Sequence, residues 1–238
     1  MKAVVLAGGR GTRLAPYTTV LPKPLVPVGD KPILEIILRQ LAHYGFSDVV
    51  LSLGHLGELI EAYVGQVRWP EVQIAFVRET EPLGTAGPLG LVAGLDETCL
   101  VMSGDILTSL DYRRLVAHHR QRGAILTIGI HERRQRLEVG IVELDTEGAV
   151  RAFVEKPELH HLVSMGVYVC EPEVLAYVEP RTRLDMPELV ARLLAAGRPV
   201  TGFRSDAHWL DVGMFQEHAR ASELFVSHRD LFLPDAGR

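Results

Sequence analysis

The residues best suited to chemistry lie at the start of the chain, in MKAVVLAGGRGTRLAPYTTVLPKPLVP. An apolar run, Ala3 to Ala7, breaks into a loop holding Gly8, Gly9 and Gly11, with Arg10 and Arg13 in or beside it. Lys23 follows between Pro22 and Pro24. A buried strand that delivers a glycine loop leaves backbone N–H groups at the open end of a sheet, where a phosphate chain can approach. Arg13 offers a planar fork and Lys23 a compact point charge. This combination points to a nucleoside triphosphate site. A plain strand-to-helix turn would use the same glycines, so the loop alone does not decide. It is not a Walker A loop, because Thr12 and Arg13 follow Gly11 where Lys-Ser/Thr is needed. It is not a dinucleotide fingerprint either, because Leu14 stands where the third glycine belongs.

Two aspartates could hold a divalent cation. Asp105 ends a buried run in LVMSGDI, and Asp211 lies in WLDVG. Taken singly, the first reads as a turn residue and the second as a helix N-cap. Their spacing does not say whether they meet. The ten histidines include two adjacent pairs, His118-His119 and His160-His161. Neighbouring residues do not share a helix face, and H-x-x-x-H spacing is missing, so both pairs read as solvated. The second pair falls in an expected loop.

The elements that position these groups follow from the apolar pattern. Strands are expected at 3–7, 49–53, 73–77 and 100–103, and helices at 32–44, 56–64, 88–94 and 112–121. The alternation predicts an α/β fold, a Rossmann-like, mostly parallel sheet with helices on both faces. Ligands of such sheets bind beyond the carboxyl ends of the strands, where the Gly8 loop lies. The second half is richer in β structure, with strands expected at 124–131, 140–144, 150–155 and 162–170, and helices at 186–195 and 215–225. One domain is expected over 1–226, with 227–238 as a tail that is either loose or a packing arm.

The longer pattern LAGGRGTRLxPxTxxxPKPLxPxxxKPxLE resembles the signature of sugar nucleotidyltransferases. Its form PKPLVPVGDKPILE is most similar to the catalytic domain of the GDP-mannose pyrophosphorylase (mannose-1-phosphate guanylyltransferase) branch. The likeness runs from Met1 to about Leu224. It implies transfer of a nucleotidyl group, GTP favoured, to a sugar 1-phosphate, with release of pyrophosphate and with Mg²⁺ as cofactor. Both reactants are anions, so the protein's work is charge neutralisation and alignment. The resemblance implies catalytic Arg13 and Lys23, and a metal held by Asp105 and Asp211. It also implies nucleotide contacts from Leu6, Gly8, Gly9, Gly11, Thr12, Glu81, Gly84 and Thr85. Glu81 opens EPLGTAG, and its carboxylate could accept from both N1–H and N2–H₂ of guanine. Glu155-Lys156-Pro157 matches the family's EKP motif, with Glu155 on sugar hydroxyls and Lys156 on the sugar phosphate. Gly140 matches a glycine close to the sugar, and the second half covers it as a smaller, β-rich sugar-binding portion. Where the family usually has Asn-x-Gly, this chain has Ser164-Met165-Gly166. A shorter hydroxyl replaces an amide, which leaves the sugar open: mannose-type, a heptose, or an unusual sugar or cyclitol. Many relatives also carry a C-terminal left-handed β-helix, which the sequence ending at Arg238 does not show.

Bulk properties narrow the alternatives. A net charge of −5 disfavours a nucleic-acid partner, and no apolar run approaches membrane-spanning length. The start lacks a signal-peptide core, and Cys99 and Cys170 read as buried, reduced thiols, so a cytoplasmic protein is expected. A homodimer is left open. Only four of the 25 basic residues are lysine, and two of them, Lys23 and Lys156, fall in the motifs above. Glucose-1-phosphate thymidylyl- or uridylyltransferase specificity is the alternative within the family. A non-catalytic nucleotide-sugar-binding subunit is the alternative outside it, and the intact set Arg13, Lys23, Asp105 and Asp211 argues against that.

Overall fold

A computed structural model describes residues 1–233. In chain order its elements are β1 (Lys2–Ala7), β2 (Pro27–Val28), β3 (Lys31–Pro32), α1 (Ile33–His43), β4 (Asp48–Leu53), α2 (Gly57–Gln66), β5 (Gln73–Arg78), β6 (Cys99–Ser103) and β7 (Ile106–Thr108). There follow α3 (Tyr112–Arg122), β8 (Leu126–Arg136), β9 (Ile141–Leu144), β10 (Val150–Val154), β11 (Glu158–Cys170), α4 (Met186–Ala195), β12 (Val200–Arg204), β13 (Trp209–Asp211), α5 (Phe215–Ser227) and α6 (Arg229–Phe232). The central sheet has seven strands in the order β12-β8-β11-β6-β1-β4-β5. β6, β1, β4 and β5 are mutually parallel, while β11 runs antiparallel to both β6 and β8. The fold is therefore the expected mixed α/β type with a mostly parallel sheet.

β1 reads as a continuous apolar run because both of its faces are covered. Ala3, Val5 and Ala7 pack into a core shared with α1, while Val4 packs into a second core with Val101, Leu189 and Leu193. The chain leaves β1 for β4 and β5 on one side, then returns to place β6 on the other. The crevice where strand order reverses, at the carboxyl ends of β1 and β6, is where ligands bind in such sheets.

Several expectations are corrected. Residues 88–94 do not form an α-helix; a short 3₁₀ turn spans Gly87–Leu91, with Pro88 near its start. The strands β7, β12 and β13 were not expected. The His160-His161 pair lies on β11 rather than in a loop, since β8 and β11 continue past the core as a paired arm. His119 is fully buried rather than solvated: its Nδ1 lies 2.7 Å from Thr127 Oγ1 and its Nε2 2.8 Å from Glu171 Oε1. Cys99 and Cys170 are buried, free thiols facing each other across β6 and β11, and burial pushes the Cys99 thiol up to about 12. Phe232 and Leu233 are buried in the first core, so residues 229–233 pack onto the body. No helix among the described residues is long and apolar enough to cross a membrane.

Candidate functional site

Four parallel strands end side by side, and each ends in a chemically distinct group. β1 delivers the Gly8 loop, β4 delivers Gly54, β5 delivers Glu79, and β6 turns through Gly104 to Asp105. The Gly104 N–H donates to the Leu6 carbonyl at 2.9 Å, which ties the Asp105 turn to the end of β1. Gly8 and Gly54 are in contact, and a Cβ on Gly54 would stand 2.6 Å from the Gly8 oxygen. Around Gly9 there is open space, so its backbone remains approachable. Gly11 has φ +61°, and a side chain there would press on Thr18 and Lys23. The Thr18 hydroxyl donates to the Gly11 carbonyl at 2.8 Å. A 3₁₀ turn over Thr12–Leu14 follows, in which buried Leu14 anchors the turn and leaves Thr12 and Arg13 exposed.

Lys23 opens a second 3₁₀ turn, Lys23–Leu25, fixed by Pro22 and Pro24 and closed by the Leu25 N–H to the Pro22 carbonyl at 2.8 Å. The side chain is buried, and its ammonium pairs with both predicted metal ligands: it contacts Asp105 Oδ2 closely and lies 3.6 Å from Asp211 Oδ1. Sequence spacing could not show that these aspartates meet. The reason they do is the short antiparallel ribbon of β7 and β13, in which Asp211 stands opposite Ile106. The Val212 N–H donates to the Asp105 carbonyl at 3.0 Å. Asp211 is thus on a strand, and the N-cap of α5 is Met214 instead. Gly213 completes the corner: a Cβ there would stand 3.0 Å from Asp211 Oδ1 and 3.2 Å from Arg13 Nη2. Arg13, Lys23, Asp105 and Asp211 therefore form one cluster at the β1–β6 crevice.

Among the described residues no group of three or more His, Cys, Asp or Glu side chains could enclose a metal ion. The two aspartates nonetheless suit Mg²⁺, which takes one or two carboxylates and completes its shell with water and phosphate oxygens. Both carboxylates already converge on a single cation, the Lys23 ammonium.

The segment expected to line the base pocket packs against the start of α4. Gly84 has φ +79° and lies against Leu184 and Asp185, where any side chain would collide. The Thr85 N–H donates to Asp185 Oδ1 at 3.1 Å, and the Thr85 hydroxyl accepts from the Met186 N–H at 2.7 Å, so this threonine braces the start of α4. Glu81 is exposed, whereas the carboxylate that reaches the glycine loop belongs to Glu79. Glu79 accepts from the Ser52 hydroxyl at 2.9 Å and the Leu83 N–H at 3.0 Å, and a Cβ on Gly8 would collide with its Oε1. The signal that could have found it is its place directly after β5, level with the other strand ends.

Of the residues expected at the sugar, Gly140, Glu155 and Lys156 lie on the arm, whereas Ser164 lies nearer the crevice, where a Cβ on its neighbour Gly166 would meet Ile106 and Ser103. Gly140 and Glu155 come together, since a Cβ on Gly140 would stand 3.0 Å from Glu155 Oε2. Lys156 is exposed, with φ +44°, and its Nζ is 3.6 Å from Glu138. The Ser164 hydroxyl accepts from the Gly166 N–H at 3.2 Å and lies 2.9 Å from the Tyr168 hydroxyl.

A nucleotidyl transferase family profile matches residues 2–227. The chain belongs to the nucleotidyl transferase family. The chain is 34% identical over 241 residues to a UTP–glucose-1-phosphate uridylyltransferase of Synechocystis, a match covering 93% of this chain and 62% of that protein. It is 33% identical to a mannose-1-phosphate guanyltransferase of Schizosaccharomyces pombe, over 95% of this chain and 65% of the relative. The chain thus spans under two thirds of these relatives' lengths. Its fold is shared with HddC from Yersinia pseudotuberculosis, with a TM-score of 0.72 at 24% identity, covering 94% of this chain and 99% of that one.

Proposed function

We propose that this nucleotidyl transferase joins a nucleoside triphosphate, GTP before the others, to a sugar 1-phosphate and releases pyrophosphate. The observation that carries the reading is the convergence of Asp105 and Asp211 on Lys23 beside the Gly8 loop and Arg13. Two carboxylates, a buried ammonium and a guanidinium with no acidic partner among the described residues, at the mouth of a glycine loop, suit a reaction in which charge on phosphates must be neutralised and aligned.

In this scheme the N–H groups of the Gly8–Gly11 loop receive the phosphate chain. Arg13 holds its distal phosphates, and Lys23 stabilises charge at the α-phosphorus during attack by the sugar-phosphate oxygen. Asp105 and Asp211 would hold Mg²⁺, which when bound offsets phosphate charge. Lys156 holds the sugar phosphate, and Glu155 with the Gly140 backbone orients the sugar. No protein nucleophile is required.

The guanine preference rests on an acidic residue in the 79–85 segment. The motif favours Glu81, whereas the contact between the Glu79 carboxylate and Gly8 supports Glu79 for this role. A carboxylate accepts from both donors of guanine's Watson–Crick edge, whereas uracil and thymine offer one. Relatedness to the fission-yeast guanyltransferase supports this preference. Uridylyl or thymidylyl transfer is the second reading, favoured by the relative from Synechocystis. A pyrophosphate-release screen crossing GTP, UTP, dTTP, ATP and CTP with mannose-, glucose- and heptose-type 1-phosphates tests both. Release with GTP and a mannose-type phosphate is expected. Release only with UTP or dTTP would transfer the assignment to the second reading, and no release with any pair would end both.

A further inference from the structure

The segment that carries Arg13 is not tied to the body by hydrogen bonds. Among the described residues, the hydrogen bonds of residues 11–21 close within the segment itself. The Leu14 N–H donates to the Gly11 carbonyl, the Thr19 and Leu21 N–H groups to Pro16 and Tyr17, and the Thr18 hydroxyl to Gly11. Its base is fastened by packing: Leu14 and Thr18 are buried, and Leu21 lies against the first core. On the solvent side the contact is aromatic. The half-exposed Tyr17 ring lies 5.4 Å from the half-exposed Phe215 ring, tilted by 52°. Tilted pairs of this kind are attractive through the ring quadrupoles. Phe215 is the first residue of α5, two after Gly213. Arg13 lies over that glycine, since a Cβ there would stand 3.2 Å from Arg13 Nη2 and 3.0 Å from Asp211 Oδ1. The segment therefore meets the 211–215 corner at two places, Arg13 at Gly213 and Tyr17 at Phe215.

Arg13 and Asp211 carry opposite charges and share the Gly213 corner, yet they form no ion pair; the cation beside Asp211 is Lys23. Nothing in the two side chains keeps them apart, because guanidinium and carboxylate pair readily when both can reach. Their separation is set by where the backbone of the Arg13 segment sits. An Arg13 that closed onto Asp211 would be lost to a phosphate, and Asp211 would be lost to a divalent cation. We propose that Tyr17 and Phe215 form a clasp that positions the Arg13 segment against the 211–215 corner, keeping Arg13 open to the triphosphate and Asp211 open to the metal. Both rings are positioning residues, acting through Arg13 and Asp211. This rests on the roles proposed above for those two groups. An aromatic pair shifts an equilibrium by about two- to tenfold. Apparent affinity falls with the fraction of molecules still open, while saturating substrate draws the remainder back. The clasp therefore acts on the KM for the triphosphate and on the metal requirement, and hardly on kcat.

The test compares the full chain as wild type, Tyr17→Ala, Phe215→Ala and the double alanine variant with the conservative Tyr17→Phe and Phe215→Tyr. Thermal melts check that each variant folds, and both side chains are exposed enough for substitution. In pyrophosphate-release kinetics, either alanine should raise the KM for the triphosphate and the Mg²⁺ needed for half-maximal rate by about three- to tenfold. The kcat should stay close to that of wild type, and the KM for the sugar 1-phosphate should not move. The double variant should match the single ones, because each removes the same contact. The conservative variants should behave as wild type. Additive losses, a fall in kcat with KM unmoved, or wild-type behaviour in the alanine variants would overturn the clasp and leave the reaction standing. Calorimetric titration with magnesium tripolyphosphate gives a readout that needs no turnover. If wild type turns over no substrate pair, the proposed reaction ends and the titration decides alone. Tripolyphosphate binding weakened in the alanine variants and kept in the conservative ones retains the clasp; equal binding throughout, or none, overturns it.

Discussion

Replacing Lys23 by methionine keeps most of the side chain's bulk and removes the charge that two carboxylates share. The ammonium lies 3.6 Å from Asp211 Oδ1, with Asp105 closer still. At an effective dielectric of about 20, one such pair attracts by about 5 kcal/mol. That figure overstates the net effect. The Asp105 and Asp211 side chains retain 26% and 47% exposure, so water can hydrate them once the cation is gone, whereas Lys23 keeps only 8%. Screening of the exposed partners, set against relief from burying the ammonium, leaves an expected loss of ~1–3 kcal/mol. For a chain of this size that is a fall in Tm of about 2–4 °C per kcal/mol. The metal dependence is the sharper readout. In wild type Lys23 competes with a divalent cation for both carboxylates. In Lys23→Met the competitor is gone, so Mg²⁺ should raise the Tm by more in the variant than in wild type, as expected for a ligand that binds only the folded state. Turnover should fall ~10²-fold or more, the scale of losing a major electrostatic stabiliser. Thermal melts with and without Mg²⁺, run beside the pyrophosphate-release assay, check all three. Equal melts for the two proteins, unmoved by Mg²⁺, would refute the shared-cation reasoning.

Four further outcomes are expected. Asp105→Asn should lose at least ~10²-fold in turnover with its fold intact, and full activity in this variant or in EDTA would remove the metal assignment. Lys156→Ala should raise the KM for the sugar phosphate far more than that for the nucleotide, with only partial rescue by arginine; equal losses would place Lys156 elsewhere. Glu79→Gln should shrink the preference for GTP over UTP more than Glu81→Gln does, with mismatches worth about 1–3 kcal/mol; the reverse order would restore Glu81 to the base. Burial would raise the Glu35 carboxyl, but hydrogen bonds from Lys31, Tyr63 and Arg39 hold it below its ordinary 4.5. Its stabilisation is therefore present above about pH 4.5 and lost as pH falls through the lower folded value, so acid melts of Glu35→Gln should show a shallower decline than wild type.

The parallel half of the fold was legible because buried parallel strands and their helices leave strong local marks. Val49–Leu53 and Leu100–Ser103 are apolar but for one serine each, and α1 presents a broad apolar face. The antiparallel insertion of β11 between β6 and β8 was not legible, since strand order leaves no local trace. Its length was underestimated because the outer part, from Glu158, is exposed and reads as polar. The ribbon of β7 and β13 has three residues on each side, too short for a period-two pattern. That omission mattered most, because this ribbon is what brings Asp211 to Asp105. The 3₁₀ turn at Gly87–Leu91 imitates a helix in composition, yet the N–H groups at its start, of Ala86 and Gly87, both donate to the Leu184 carbonyl.

The same geometry divides the site into two kinds of support. Lys23 is locked between prolines, Asp105 is tied to β1 through Gly104, and Asp211 is clamped by the ribbon, so the groups any nucleotidyl transfer would need stand on short, packed elements. Glu155 and Lys156 instead stand exposed on the arm beyond the core, where, among the described residues, β9 and β10 pair only with each other. Groups that must stabilise a transition state gain from being fixed in advance, because nothing need be reorganised as charge develops. Groups that select an acceptor can change with few consequences for packing. Under the proposed assignment, substitutions on the arm should therefore alter the sugar accepted without lowering stability, while substitutions at Lys23, Asp105 or Asp211 should lower turnover for every sugar alike.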